Sequence, residues 1–417
     1  SLIKNLHHPL ALLLAQIVTI IFVARIFGWI CIKIKQPAVI GEMIAGILLG
    51  ASFLGNYFPE VSGFLFPQKS IGNLNLLSQI GLVLFMFIVG LELDLKMLKG
   101  KTNTAVIISH ASIVAPFTLG VGLAFFTYQQ YAPSGVEFLS YALFVGISMS
   151  ITAFPVLARI IQERGLSKTN LGTIAITCAA ADDVTAWCIL ALVIAIAKAG
   201  SIWTALYTIA LAVGYVLLML KVVKPLLKRY GTNLHTTHIK KPVIAICLIV
   251  LIASAYITDA IGIHALFGAF MAGIVMPEDM RFRTIFIEKV ESVALLLLLP
   301  LFFVTTGLKT QIGLLSEGAL WIWCLIIIAV AVIAKLGVST LAARFTGQTW
   351  KDSLQIGTLM NTRGLTELVV LNIGYDLGVI TAEIFTILVI MALTTTFMTG
   401  PLLDLINRFS KSKNTLP

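Results

Sequence analysis

Ser148-Met-Ser150-Ile-Thr152-Ala-Phe-Pro155 interrupts an apolar run over 138–161, and Asn361-Thr-Arg363-Gly364-Leu-Thr366-Glu367 interrupts a second over 353–374. Neither string suits a lipid-facing helix. Pro155 removes a backbone donor and crowds the turn before it, so the freed carbonyls must find another partner. A cation is one candidate partner, and a kink healed by Ser and Thr side chains is the other. Two broken helices in corresponding positions of two halves of a chain favour an ion or substrate site.

The surrounding sequence places these breaks in a membrane. Of 417 residues, 59% are hydrophobic and only 12% are charged, a composition far from that of a soluble domain. Apolar runs of spanning length recur from end to end, predicting an all-α polytopic protein with about thirteen transmembrane helices. They are placed near 8–34, 36–54, 71–93, 104–128, 138–161, 171–199, 203–223, 241–260, 262–277, 290–308, 318–343, 353–374 and 379–405. The first run is too long for a secretory signal and is read as a mature spanning helix.

The formal charge of +10 is explained by topology rather than by nucleic acid. Lys33 and Lys35; Lys96, Lys99 and Lys101; Arg159, Arg164 and Lys168; and Lys221 to Lys241 fall in alternate connections. Arg281, Arg283 and Lys289, then Arg344 and Lys351, then Arg408, Lys411 and Lys413 continue the pattern, while Lys4, Lys69, Lys198 and Lys309 lie on the other side. Positive residues mark the cytoplasmic face, so the N-terminus is expected outside and the C-terminus inside. The fourth to sixth spans then run antiparallel to the eleventh to thirteenth, as inverted-topology repeats require. Cys31, Cys178, Cys188, Cys247 and Cys324 lie in apolar runs without metal-ligand spacing and read as packing residues.

Ionisable residues at bilayer depth need a partner, water or a function. Asp182 and Asp183 lie near the middle of the sixth span, Lys335 near the middle of the eleventh, and Arg363 and Glu367 in the broken twelfth. Neighbouring residues on a helix point about 100° apart, so the two aspartates can face different partners, one holding a fixed cation while the other titrates. Arg363 and Glu367, four apart, can pair across one turn. Three negatives and two positives leave a net negative site, suited to a cation. Glu42 and Glu92 are candidates for a cytoplasmic funnel, and Asp94 reads as structural. Arg25 and Arg159 can extend toward the interface, and His110 and His264 read as packing residues.

Gln36–Gly50 (QPAVIGEMIAGILLG), Gly90–Asp94 (GLELD), Gly262–Gly273 (GIHALFGAFMAG), Leu301–Leu308 (LFFVTTGL) and Leu359–Leu368 (LMNTRGLTEL) resemble the cation:proton antiporter-2 family, most of all its Kef-type and plant cation/H+ exchanger branches. The resemblance runs from about residue 8 to 405. It implies the Na+/H+ antiporter-like fold, with 104–199 and 318–405 as moving core repeats and broken fifth and twelfth helices crossing beside the ion site. By the same resemblance 8–93 and 241–308 form a homodimer scaffold and 203–230 a linker helix. It also implies that Asp183 binds the cation or proton, that Asp182 partners Lys335, and that Thr152 is a ligand beside the break. Plant exchangers often have Asn, and Kef systems Gln, at the position of Asp182. The Asp-Asp pair is instead like that of Na+/H+ antiporters, so both Na+ and K+ stand as substrates.

The expected function is secondary antiport of Na+ or K+ against H+ in the cell membrane, without a cofactor and without enzymatic activity. A Kef-like gated K+ channel would need a continuous polar path, where the sequence has isolated midplane charges. An intramembrane aspartyl protease would need two carboxylates converging on one water, most readily from different helices, whereas these are neighbours on one turn.

Overall fold

Both interruptions are breaks between separate half-helices in the computed structural model, which describes residues 8–92, 103–166, 168–199, 202–231, 241–277, 279–316 and 318–413. The helices are α1 (Pro9–Lys33), α2 (Ala38–Leu49), α3 (Gln68–Glu92), α4 (Asn103–Tyr131), α5 (Phe138–Ser150), α6 (Phe154–Glu163) and α7 (Asn170–Lys198). They continue as α8 (Ile202–Leu218), α9 (Lys241–Ile261), α10 (Ala265–Val275), α11 (Met280–Val293), α12 (Leu299–Lys309), α13 (Gly318–Val332), α14 (Val338–Phe345), α15 (Trp350–Met360), α16 (Leu365–Asp376) and α17 (Ala382–Lys413). No strand occurs among the described residues. Asp94, Lys4, Lys96, Lys99, Lys101 and Lys240, used above to read charge and topology, lie outside the described residues.

Among the described residues, eleven helices are long and apolar enough to cross a membrane, fewer than the thirteen expected. Both differences have local causes. The expected span at 262–277 shortens to the 11 residues of α10. Gly262 (φ 100°) and His264 (φ 86°) turn the chain through the left-handed region before it, and Met276, preceding Pro277, is extended after it. The span at 353–374 is instead α15 and α16, of 11 and 12 residues, separated by the break. A π-helical turn, Ile333–Gly337, joins α13 to α14 and carries Lys335.

The described residues cluster into two compact units. The described residues of one fall within Ser1–Phe22, Glu60–Asp94 and Ala191–Thr305, and those of the other within Val23–Pro59, Leu95–Leu190 and Thr306–Pro417. Within the first, α3 and α10 touch through glycines. A Cβ on Gly90 would lie 2.2 Å from the Phe270 carbonyl oxygen, and one on Gly273 would lie 2.3 Å from that of Phe87. Arg283 ties the same two helices at their ends, donating to Leu91 O (2.6 Å), Met276 O (3.3 Å) and Pro277 O (3.0 Å). Leu91 O is among the carbonyls left open at the last turn of α3, and Met276 and Pro277 lie just past the end of α10, so a guanidinium is an apt cap.

In the second unit, glycines again set the closest approach. A Cβ on Gly307 would come within 2.0 Å of the Gly46 carbonyl carbon, and one on Gly50 within 2.4 Å of Gly307 O. The motif glycines are thus explained by backbone contact, which any side chain would push apart. Beside this contact Ser52 Oγ donates to Thr310 O at 2.7 Å, and Lys309 bonds Asp376 at 2.6 Å and Asn372 at 3.1 Å.

Candidate ion-binding site

The site lies wholly within the second unit. It is built where α7 passes the two breaks. Asp182, Asp183, Lys335, Arg363 and Glu367 are all 0% exposed, so every charge must be answered inside the protein.

Asp182 is answered completely. Its Oδ1 accepts from Ser109 Oγ at 2.6 Å, and its Oδ2 accepts from Ser112 Oγ at 2.6 Å, Thr152 Oγ1 at 2.8 Å and Lys335 Nζ at 3.3 Å. Hydroxyl donors to a carboxylate are among the stronger hydrogen bonds, and three converge here with an ammonium. Lys335 is equally satisfied. Its other bonds go to Ser112 O (2.7 Å) and to Ser150 O, using all three ammonium donors.

Asp183 is the opposite case. Neither of its oxygens has a hydrogen-bond partner among the described residues. The backbone N–H of Phe154, at the start of α6, faces the carboxylate without reaching hydrogen-bond geometry. A helix start directs a partial positive charge at an anion. The two neighbouring aspartates therefore differ in kind: one has its acceptor capacity filled, and the other keeps it.

Arg363 holds the crossing together. Its Nη1 donates to Ser148 O (2.9 Å) and Glu367 Oε2 (3.1 Å), and its Nη2 to Met149 O (2.6 Å). Since α5 ends at Ser150, the carbonyls of 148, 149 and 150 are among those left open at its last turn. Arg363 takes the first two and Lys335 the third. The carbonyls freed by the break thus meet the protein's own cations rather than a transported one.

The two breaks also bond to each other. Ala153 N donates to Thr362 O at 3.1 Å, and Thr152 Oγ1 lies 3.3 Å from Met360 O. From α17, Thr396 Oγ1 accepts from Arg363 N (3.2 Å) and reaches Arg363 O (2.7 Å), while Thr399 meets Thr362 at 3.2 Å.

Of the residues singled out from sequence, Asp182, Asp183, Thr152, Lys335, Arg363 and Glu367 come together here. Glu42 is buried on α2, with Gly28 beside it. Glu92 is exposed at the end of α3, in the other unit. His110 Nδ1 contacts Val106 O at 2.8 Å, and His264 accepts from Leu266 N at 3.4 Å, both local contacts. Sequence reading missed Ser109, Ser112 and Thr396. A hydroxyl in an apolar helix usually bonds the carbonyl one turn back, as Thr118 and Thr185 do here, so residue type alone carries no signal.

Two interrupted helices, crossing beside buried carboxylates in a polytopic helical protein, define a membrane transporter of the antiporter fold. The solved structure of the sodium proton antiporter MjNhaP1 from Methanocaldococcus jannaschii shares this fold, with a TM-score of 0.68 at 14% identity, covering 95% of this chain and 97% of that one. The transmembrane sodium/hydrogen exchanger family model matches residues 18–406. The chain is 42% identical to Na(+)/H(+) antiporter NhaS4 of Synechocystis sp., over 95% of this chain and 97% of that protein. It is 40% identical to Cation/H(+) antiporter 17 of Arabidopsis thaliana (98% and 50%) and 34% identical to K(+)/H(+) antiporter 1 of Saccharomyces cerevisiae (96% and 47%), spanning about half the length of those two relatives. The chain belongs to the sodium/hydrogen exchanger family.

Proposed function

We propose that the chain exchanges Na+ or K+ for H+ by alternating access, with Asp183 as the group for which cation and proton compete. The observation that carries this reading is the contrast between Asp183, whose buried oxygens have no hydrogen-bond partner among the described residues, and Asp182, whose oxygens are saturated. A bare charge at the midplane opposes movement through a bilayer, and a bound proton or cation removes that opposition. The names of the relatives, which specify Na+, K+ or cation exchange for H+, support the same substrate class.

In this mechanism Asp182 is held within its shell of hydroxyls and Lys335, and Thr152 turns its oxygen toward the exchanging ion. Arg363 and Glu367 serve as fixed counter-charges at the crossing. The repeats 104–199 and 318–405 move against a homodimer scaffold of 8–93 and 241–308, with 203–230 linking them. The chain sits in the plasma or inner membrane with its N-terminus outside. Glu92 lines the cytoplasmic approach.

The test is ΔpH-driven exchange in proteoliposomes offered Na+, K+, Li+ and Rb+ in turn. Acid-loaded liposomes should gain internal pH with at least one of Na+ and K+. No response to any of the four ends the proposal.

Lys335 sets the stoichiometry. If it releases a proton when the cation binds, two protons move per cation and transport carries net charge. The equilibrium ratio of cation and proton gradients should then shift with a membrane potential clamped by an ionophore for an ion the protein does not carry. An equilibrium that ignores the potential assigns Lys335 a permanent structural charge.

A further inference from the structure

A second set of buried polar groups lies between α14 and α15. Ser353, Gly357 and Asn361 recur every four residues and so share one face of α15, Asn361 being its C-cap. That face meets α14 and the π-helical turn. A Cβ on Gly357 would lie 2.1 Å from Thr340 Oγ1 and 2.5 Å from Leu336 O. Ser339 follows Lys335 by four residues, about one turn along the same helix.

All of these polar side chains are buried. Ser339, Ser353 and Asn361 are 0% exposed and Thr340 is 5% exposed. Yet the hydroxyls of Ser339, Thr340 and Ser353 and both side-chain atoms of Asn361 have no hydrogen-bond partner among the described residues. Five such atoms on two facing helices depart from the rule that buried polar groups are paired. Packing alone would be served better by Ala or Val, since each unpaired group costs free energy. Gly357 lets Thr340 come against the backbone of α15 between Ser353 and Asn361, so that the Thr340 hydroxyl itself lies between those two groups along the seam. At one end lies the exposed turn of Gly347 and Thr349, and at the other the turn that carries Lys335.

We propose that Ser353, Thr340, Ser339 and Asn361 line a narrow hydrated track that brings water, and with it protons, to Lys335 from the end of the bundle bearing the 346–349 turn. The track is separate from the cation's route to Asp183. Water molecules bridging the hydroxyls and the amide satisfy the orphaned groups and form a chain along which protons pass. Ser353 to Asn361 spans about 12 Å at 1.5 Å per residue, a distance that a short file of waters covers. The proposal rests on the proton role of Lys335 given above.

The test reads access and needs no transport. Cys31, Cys178, Cys188, Cys247 and Cys324 are replaced by Ala, and Ser339→Cys, Thr340→Cys, Ser353→Cys and, as a buried apolar control on another face of α15, Leu359→Cys are introduced singly. Reconstituted protein is exposed to Ag+, small enough for a water-wide path, then unfolded and labelled with a maleimide. Ser339→Cys, Thr340→Cys and Ser353→Cys should lose maleimide labelling after Ag+, and Leu359→Cys should keep it. The loss should persist when Asp183→Asn is added, because the track does not pass the ion site. If Ser339→Cys keeps its labelling, the track does not reach Lys335 and is refuted. Loss that disappears with Asp183→Asn makes the path the cation's own and also refutes it. The outcome is independent of the liposome exchange assay, so failure of the track and failure of the antiport reading are told apart.

Discussion

Asp183→Asn should reduce ΔpH-driven exchange to the level of empty liposomes while leaving the protein folded and monodisperse. An amide can neither release a proton nor offer a cation a full negative charge, and among the described residues no other buried carboxylate at the crossing has both oxygens open. Folding should survive because the replacement removes a charge from a fully buried site in which it has no hydrogen-bonded partner among the described residues. Asp182→Asn is the informative companion. It should damage the protein's stability more, because it halves the acceptor capacity that Ser109, Ser112, Thr152 and Lys335 share. Exchange at the wild-type rate in purified Asp183→Asn protein would overturn the assignment.

Breaking the Arg363–Glu367 pair should produce the largest loss of stability, about 3–5 kcal/mol for removal of one partner of a buried ion pair. The two single variants should not be equal. Glu367→Gln removes one bond to the guanidinium, whereas Arg363→Met also strands the carbonyls of Ser148 and Met149 at the end of α5. The double variant should lose less than the sum of the singles, since Glu367 is no longer left as an unpaired charge. Its recovery should be incomplete, because the two carbonyls remain open. Melting temperatures in detergent measure all three, and single variants as stable as wild type would show that the pair does not hold the crossing.

Much of this was legible in the sequence because lipid makes charge conspicuous. Asp182, Asp183, Lys335, Arg363 and Glu367 stood out against apolar neighbours, and Pro155 and Gly364 marked the breaks by backbone chemistry alone. The pairing of Arg363 with Glu367 followed from their spacing. What was hidden depends on long-range geometry. Ser109 and Ser112 look like any helical serine until α4 is laid against α7. The π-helical turn at Ile333–Gly337 has no residue that announces it, although it carries Lys335. The length of α10 was overread because hydrophobicity persists through Gly262–Pro277 while the backbone does not stay helical.

The bond from Ala153 N to Thr362 O links the two breaks through main-chain atoms on both sides. No side-chain substitution short of proline at 153 deletes it, so an alanine or cysteine scan across this region would pass over the join that couples the half-helices. An α-hydroxy acid in place of Ala153 would convert the amide to an ester and leave every side chain intact. The crossing would then lose its peptide rivet, and any slack between the repeats would become visible as uncoupled leakage of protons.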